Sequence, residues 1–206
     1  METRLRTDGS SAALVPLPVD GRLWEQVFTV APLVLVGTVE GKAFDIAPKH
    51  LATPLSWEGL FGFVCSPDHA TYRNIRVQRE FTVSFPPAEG IVETSLAAGG
   101  RSGDGEKPSL AAIETVPARV VAPPLVDGCL LYLECKLARF VDGLDRNSLV
   151  VGRIVAASAP QEALRGAEID DADLIHRLGL LAYLAPGRFA SVRDSHAYPY
   201  PADFRR

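Results

Sequence analysis

Apolar positions in this chain gather into short runs separated by glycine, proline and charge, and the spacing inside each run predicts its conformation. Residues 32–39 form a compact, valine-rich run ended by Glu40-Gly41-Lys42, which predicts a buried strand followed by a turn. Before it, Asp20 is placed to cap a short helix through Trp24, Val27 and Phe28, which share one face. Residues 61–65 predict another strand. Ser66-Pro67 then supplies a capping residue and a first-position proline for a helix over 68–80, with Tyr72 and Ile75 on one side. Residues 81–85 return to strand character until Pro86-Pro87 ends it. The cleanest period-two signal follows at 129–141. There Leu131, Leu133, Cys135, Leu137 and Val141 point one way, while Tyr132, Glu134 and Lys136 point the other.

Residues 148–157 predict a further strand, with Gly152 as a bend or a point of close approach. Residues 170–184 predict a helix that opens on acidic residues, with Gly187 just beyond its end. Two short helical stretches, 93–98 and 108–114, flank a glycine-rich loop, and 43–57 reads as a long loop. Strands dominate the middle of the chain, and helices do not alternate with them regularly, which argues against a doubly wound parallel sheet. The expected fold is mainly β with inserted helices: an antiparallel barrel, closed so that few edges remain. Residues 1–19 read as an arm and 20–206 as one domain.

Composition narrows the classes. The 206 residues are 47% apolar and 22% charged, ordinary globular usage, and the net charge of −4 gives no global attraction to nucleic acid. A local basic patch can still hold a phosphate. No apolar run reaches the roughly 18 residues of a membrane span, and the first residues lack a signal-length apolar core. Cys65, Cys129 and Cys135 show no CxxC spacing and read as reduced packing residues, so the expected setting is cytoplasmic.

Familiar catalytic motifs are missing from the sequence. The glycine-rich stretch 99–107 runs into Glu106-Lys107-Pro108 where a phosphate loop needs Gly-Lys-Ser/Thr, and there is no GxGxxG, GxSxG or HExxH. The informative region is 42–74, where a polar loop, a strand and a helix N-terminus succeed one another. Free N–H groups and the positive end of a helix dipole suit a phosphate. Ser66 and Thr71 could add hydroxyl donors, and Arg73 or Lys49 charge. The residues alone leave a second reading open, in which Ser66 merely caps a helix whose arginines face solvent.

Over residues 27–192 the chain resembles the flavin reductase-like family, the flavoredoxin-like FMN-binding split barrels. The family's Gly-x-x-Asn-x-x-Pro-x-Ser loop is similar to Gly41 through Asp45 and Pro48 to His50, and a later serine of that loop corresponds to Ser56. Its strand-Ser-Asp-Thr-x-x-Asn-Ile segment is similar to 63–66 with Ala70-Thr71 and Asn74-Ile75. Lys107 matches the lysine of its Asp-Lys-Phe, and Leu133-Glu134-Cys135 and Val151-Gly152 match its Leu-Glu-Cys and Val-Gly. Asp45, His50 and Ala70 depart from the family's Asn, Ser and Asp.

The resemblance implies FMN as cofactor and NADH or NADPH as electron donor, with hydride transfer from nicotinamide C4 to flavin N5. It also implies a homodimer and leaves room for a partner oxygenase. The alternative is an FMN-binding electron carrier or flavin-storage protein without turnover. Pro48, Lys49, His50, Leu51, Ala52 and Thr53 would lie along the flavin ring and ribityl chain. Ser66, Thr71 and Asn74 would hold the phosphate, with Lys49 and Lys107 neutralising it. No side chain need act as acid, base or nucleophile, so no catalytic residue is expected.

Overall fold

Strands form where an apolar run can bury one face against a neighbour, and twelve segments of the described residues do so. The computed structural model describes residues 14–20 and 22–201. In chain order these form α1 (Leu23–Gln26), β1 (Thr29–Pro32), β2 (Val34–Glu40), β3 (Ala43–Lys49), β4 (Ala52–Ser56), β5 (Leu60–Cys65), α2 (Ala70–Gln78) and β6 (Glu80–Phe85). There follow α3 (Ile91–Leu96), β7 (Thr115–Val116), β8 (Leu125–Val126), β9 (Leu131–Leu144), β10 (Asn147–Ser158), α4 (Asp171–Leu178), β11 (Leu180–Ala185) and β12 (Arg188–Val192). The first thirteen residues of the expected arm lie outside the described residues, and residues 14–19 are exposed without regular structure.

One antiparallel sheet carries the fold, with strand order β3-β2-β6-β9-β10-β5-β4. It curls, because side chains from both ends share one core: Val34 and Val36 of β2 meet Ala52 of β4, Phe63 of β5, Phe81 of β6 and Cys135 of β9. The alternate side of β2 and β3, with Leu35 and Ile46, is covered by Ala97, Ile113 and Val126. This is the antiparallel split barrel that the resemblance implied. β3 and β4 follow one another in the chain yet are the two edges of the sheet, so the barrel is split between them. Gly152 is the close approach its position suggested, since a Cβ there would stand 2.3 Å from the Phe81 ring.

Several local expectations need correction for identifiable reasons. Residues 43–57 are not a loop: Ala43–Lys49 pairs along the whole of β2, from Val34 opposite Lys49 to Glu40 opposite Ala43. The polar residues that disguised this strand include Asp45, which is buried because its charge is answered within the chain. The helix expected over 170–184 ends at Leu178, and Gly179, at φ +59°, provides the left-handed residue that stops it. The apolar stretch Leu180–Ala185 then becomes a strand between β1 and β12, and Gly187 sits in the following turn. Asp20 does not cap α1, whose N-cap is Arg22. Ser66 does not cap α2 either. Its hydroxyl accepts the Asp68 N–H at 3.2 Å in the preceding turn, and His69 is the N-cap.

The polar side of β9 also differs from expectation, because Glu134 is buried. Its carboxylate accepts the backbone N–H groups of Arg119, Val120 and Val121, at 2.6–3.1 Å. It thereby ties the segment before β8 onto the sheet.

Candidate functional site

The end of β3 and the start of α2 meet because α2 lies against β2 and β3, with the Asn74 side-chain amide donating to the Thr38 hydroxyl at 3.0 Å. The segment after α3 supplies a third wall through Ala97, Ala98, Gly99 and Arg101. Between them lies a cleft of about 370 Å³. Pro48 and Lys49 line it from β3, His69, Thr71 and Arg73 from the turn and helix, and Lys107 from the far loop.

Three features make the cleft suited to an anion. The helix has no capping side chain, and its first backbone bond runs from Arg73 N–H to His69 C=O, leaving the Ala70 and Thr71 amides ahead of it. Thr71 is 2% exposed, lines the cleft, and its hydroxyl has no partner among the described residues. Lys49 and Arg73 form no ion pair among those residues, although Arg73 also donates to the Asp68 carbonyl.

The other two cations are already engaged. Lys107 is buried against Asp45, Nζ to Oδ1 3.1 Å, and donates to the Ile46 carbonyl at 2.7 Å. Arg101 lies 2.6 Å from Glu40 and 3.4 Å from Asp45. Asp45 thus holds the loop carrying Arg101 and Lys107 against β3. Beneath the rim, the Cys65 thiol is pushed up by burial, against the opposing pull of Lys49 and the Tyr72 N–H. Its Sγ stands 3.8 Å from His69 Nδ1. The imidazole of His69 is held below its usual range by burial and by Lys49, with Asp68 opposing. A phosphate fits this donor set: an unpartnered hydroxyl, exposed helix amides and cations without carboxylate partners.

The family model described as "flavin reductase like domain" matches residues 28–184. The chain belongs to that family. As a flavin reductase-like domain it is a flavin-related oxidoreductase. Its fold is similar to flavoredoxin from Methanosarcina acetivorans, at 20% identity and a TM-score of 0.76, covering 93% of this chain and 97% of that one. It is also similar to nitrilotriacetate monooxygenase component B from Bacillus cereus, at 16% identity and TM-score 0.78, covering 91% and 100%. A third similar structure is the NADH:FAD oxidoreductase of Streptomyces globisporus, at 16% identity and TM-score 0.70, covering 88% and 99%. No curated protein matches the sequence.

Of the residues singled out from the sequence of this flavin reductase-like domain, Pro48, Lys49, Thr71 and Lys107 come together in the cleft. The others lie around it. His50 stacks on Tyr183 with ring centroids 4.7 Å apart. Leu51 is exposed, and its carbonyl accepts the Val64 N–H at 2.8 Å. Ala52 faces the core opposite Phe63, and the Thr53 hydroxyl donates to the Pro54 carbonyl. Ser66 and Asn74 are spent on the turn and on Thr38.

His69 and Arg101 line the cleft without having been expected there. His69 carried one usable signal, its place two residues after Pro67. Arg101 carried none, because it reaches the site from a loop remote in sequence. Among the described residues no group of His, Cys, Asp and Glu is arranged for a metal ion, and no helix is long and apolar enough to cross a membrane.

Proposed function

We propose that this protein binds FMN in the cleft between β3 and α2 and reduces it with NADH or NADPH. The observation that carries the reading is Thr71, 2% exposed, lining the cleft with a hydroxyl that has no partner among the described residues, beside the open N-terminus of α2 and the cations Lys49 and Arg73. In this reading Thr71 and the helix amides hold the phosphate, and Lys49 and Arg73 balance its charge. Lys107 acts indirectly: paired with Asp45, it fixes the wall that carries Arg101. Residues 48–53 run from the cleft along the split between β3 and β4 and border the rest of the flavin. Hydride transfer from nicotinamide C4 to flavin N5 is chemistry that the cofactors themselves supply.

The chain's part is to bind and orient. Apolar Leu51, Leu55 and Trp57 stand exposed on or beside the edge strand β4, which supports a homodimer in which a second copy covers them.

An absorbance spectrum of the purified protein with FMN, recorded before and after NADH or NADPH under anaerobic conditions, tests the reading. The expected result is a protein-bound flavin spectrum that bleaches on adding one of the two donors. A spectrum identical to that of free FMN, with none retained on desalting and no bleaching, overturns it. Steady-state oxidation of NADH or NADPH with excess free FMN separates a reductase, which turns over, from a carrier, which does not.

A further inference from the structure

His69 stands where three influences meet. It is the N-cap residue of a nine-residue helix, it lines the cleft, and its Nδ1 is 3.8 Å from the thiol of Cys65. The charged and titratable groups around it come from every neighbouring element: Asp45 and Lys49 from β3, Cys65 from β5, Asp68 from the turn, Arg73 from α2, and Arg101 and Lys107 from the far loop. Among the described residues no carboxylate lies within ion-pair distance of its ring, Asp45 of the same cleft being held by Lys107 and Arg101. Burial, and after it the Lys49 ammonium, hold the ring toward its neutral form. An imidazole so placed has reason to stay neutral while the cleft holds only water, and reason to become cationic once a dianion arrives.

Resting on the FMN reading above, we propose that His69 takes up a proton as a phosphomonoester seats in the cleft, making it the one phosphate contact that changes charge on binding. The proton comes from solvent and stays on the imidazole, so no bond other than N–H forms. Of the side-chain types around the phosphate, imidazole is the one that ordinarily changes charge between about pH 5 and 8, which leaves His69 as the group that adapts. The cleft gains a positive charge only when the phosphate is present. It therefore discriminates a phosphorylated flavin from the same ring system without phosphate, and does so more strongly as pH falls from 8 toward 7.

Calorimetric titration of the full-length apoprotein with FMN tests this at pH 7.5 in two buffers of different ionisation enthalpy, neither containing phosphate. At that pH the ligand phosphate, with a second pKa of about 6, is already largely dianionic. The expected result is net proton uptake with FMN and none with riboflavin. His69→Gln should abolish the uptake and weaken FMN roughly tenfold, the size of one charge-assisted contact, while leaving riboflavin unchanged. His69→Lys should restore FMN affinity without uptake, because its cation is permanent. Uptake of the same size in wild type and His69→Gln, or none in wild type, overturns the proposal. Failure of wild-type protein to bind FMN at all overturns the FMN reading itself and this proposal with it.

Discussion

Two regions of this chain gather hydrogen-bond donors around a place for negative charge, and they differ in whether the charge is built in. On β9 the Glu134 carboxylate is 2% exposed and receives the backbone N–H groups of residues 119–121. Every donor there has its acceptor inside the chain, so the assembly is complete at folding and serves stability. At the start of α2 the donors are of the same kind, helix amides, a hydroxyl and cations, but among the described residues neither Asp45 nor Asp68, the carboxylates lining the cleft, forms an ion pair with Lys49 or Arg73. Donors whose acceptor is missing from the chain imply one from outside. Asp45 stands between the two cases, since it answers Lys107 fully and Arg101 in part while leaving Lys49 and Arg73 open.

If that contrast is right, changes at the two places should read out in different measurements. Glu134→Ala leaves three amides without their acceptor, that of Val121 buried, and should cost about 2–3 kcal/mol of folding stability, measured by urea unfolding. A loss below about 1 kcal/mol would mean that water replaces the carboxylate and that the nest is not structural. Lys107→Ala strands Asp45 with only Arg101 nearby and should cost roughly 2–4 kcal/mol of stability. A variant that folds with full stability but loses FMN would instead place Lys107 directly on the ligand.

Thr71→Ala should reverse the pattern, weakening FMN by about 1–3 kcal/mol in a fluorescence titration while its unfolding midpoint barely moves. Unchanged FMN affinity would displace the phosphate from this cleft. The mildest effect is at His50, held below its usual range by burial first and by Lys49 second. Its unfolded form takes up a proton near pH 6.5 while the folded form resists. Stability from this group is therefore full above that pH and declines as pH falls from about 6.5 toward the lower folded value. His50→Gln should flatten the fall in urea midpoint between about pH 7 and 5, leaving the part due to His69. An unaltered slope would remove His50 from the account.

Much of the barrel was legible because β-strand burial has a two-residue period that survives in the sequence. Leu133, Cys135 and Leu137 face one core as read, although Glu134 between them is buried as well, and the runs at 34–40, 60–65 and 80–85 became strands close to the expected bounds. The same logic failed at β3 and β11 for opposite reasons. β3 hides its alternation because Asp45 is buried by virtue of an ion pair with a residue far along the chain. Leu180–Ala185 is apolar throughout, so a helix and a strand were equally compatible with it until pairing with β1 and β12 selected one.

The site divides along the same line. Local order along the chain was sufficient to place a strand end, a turn and a helix N-terminus in succession, because these depend on neighbours within a few residues. Thr71 and Lys49 were accordingly within reach of a reader of the sequence. Long-range packing alone determined which cations remain free. Lys107 turned inward to Asp45, Asn74 turned to Thr38, and Arg101 arrived from a loop that nothing nearby in the chain announces. A charge's partner is a matter of distance in space, and one-dimensional order carries almost no information about that distance between remote residues.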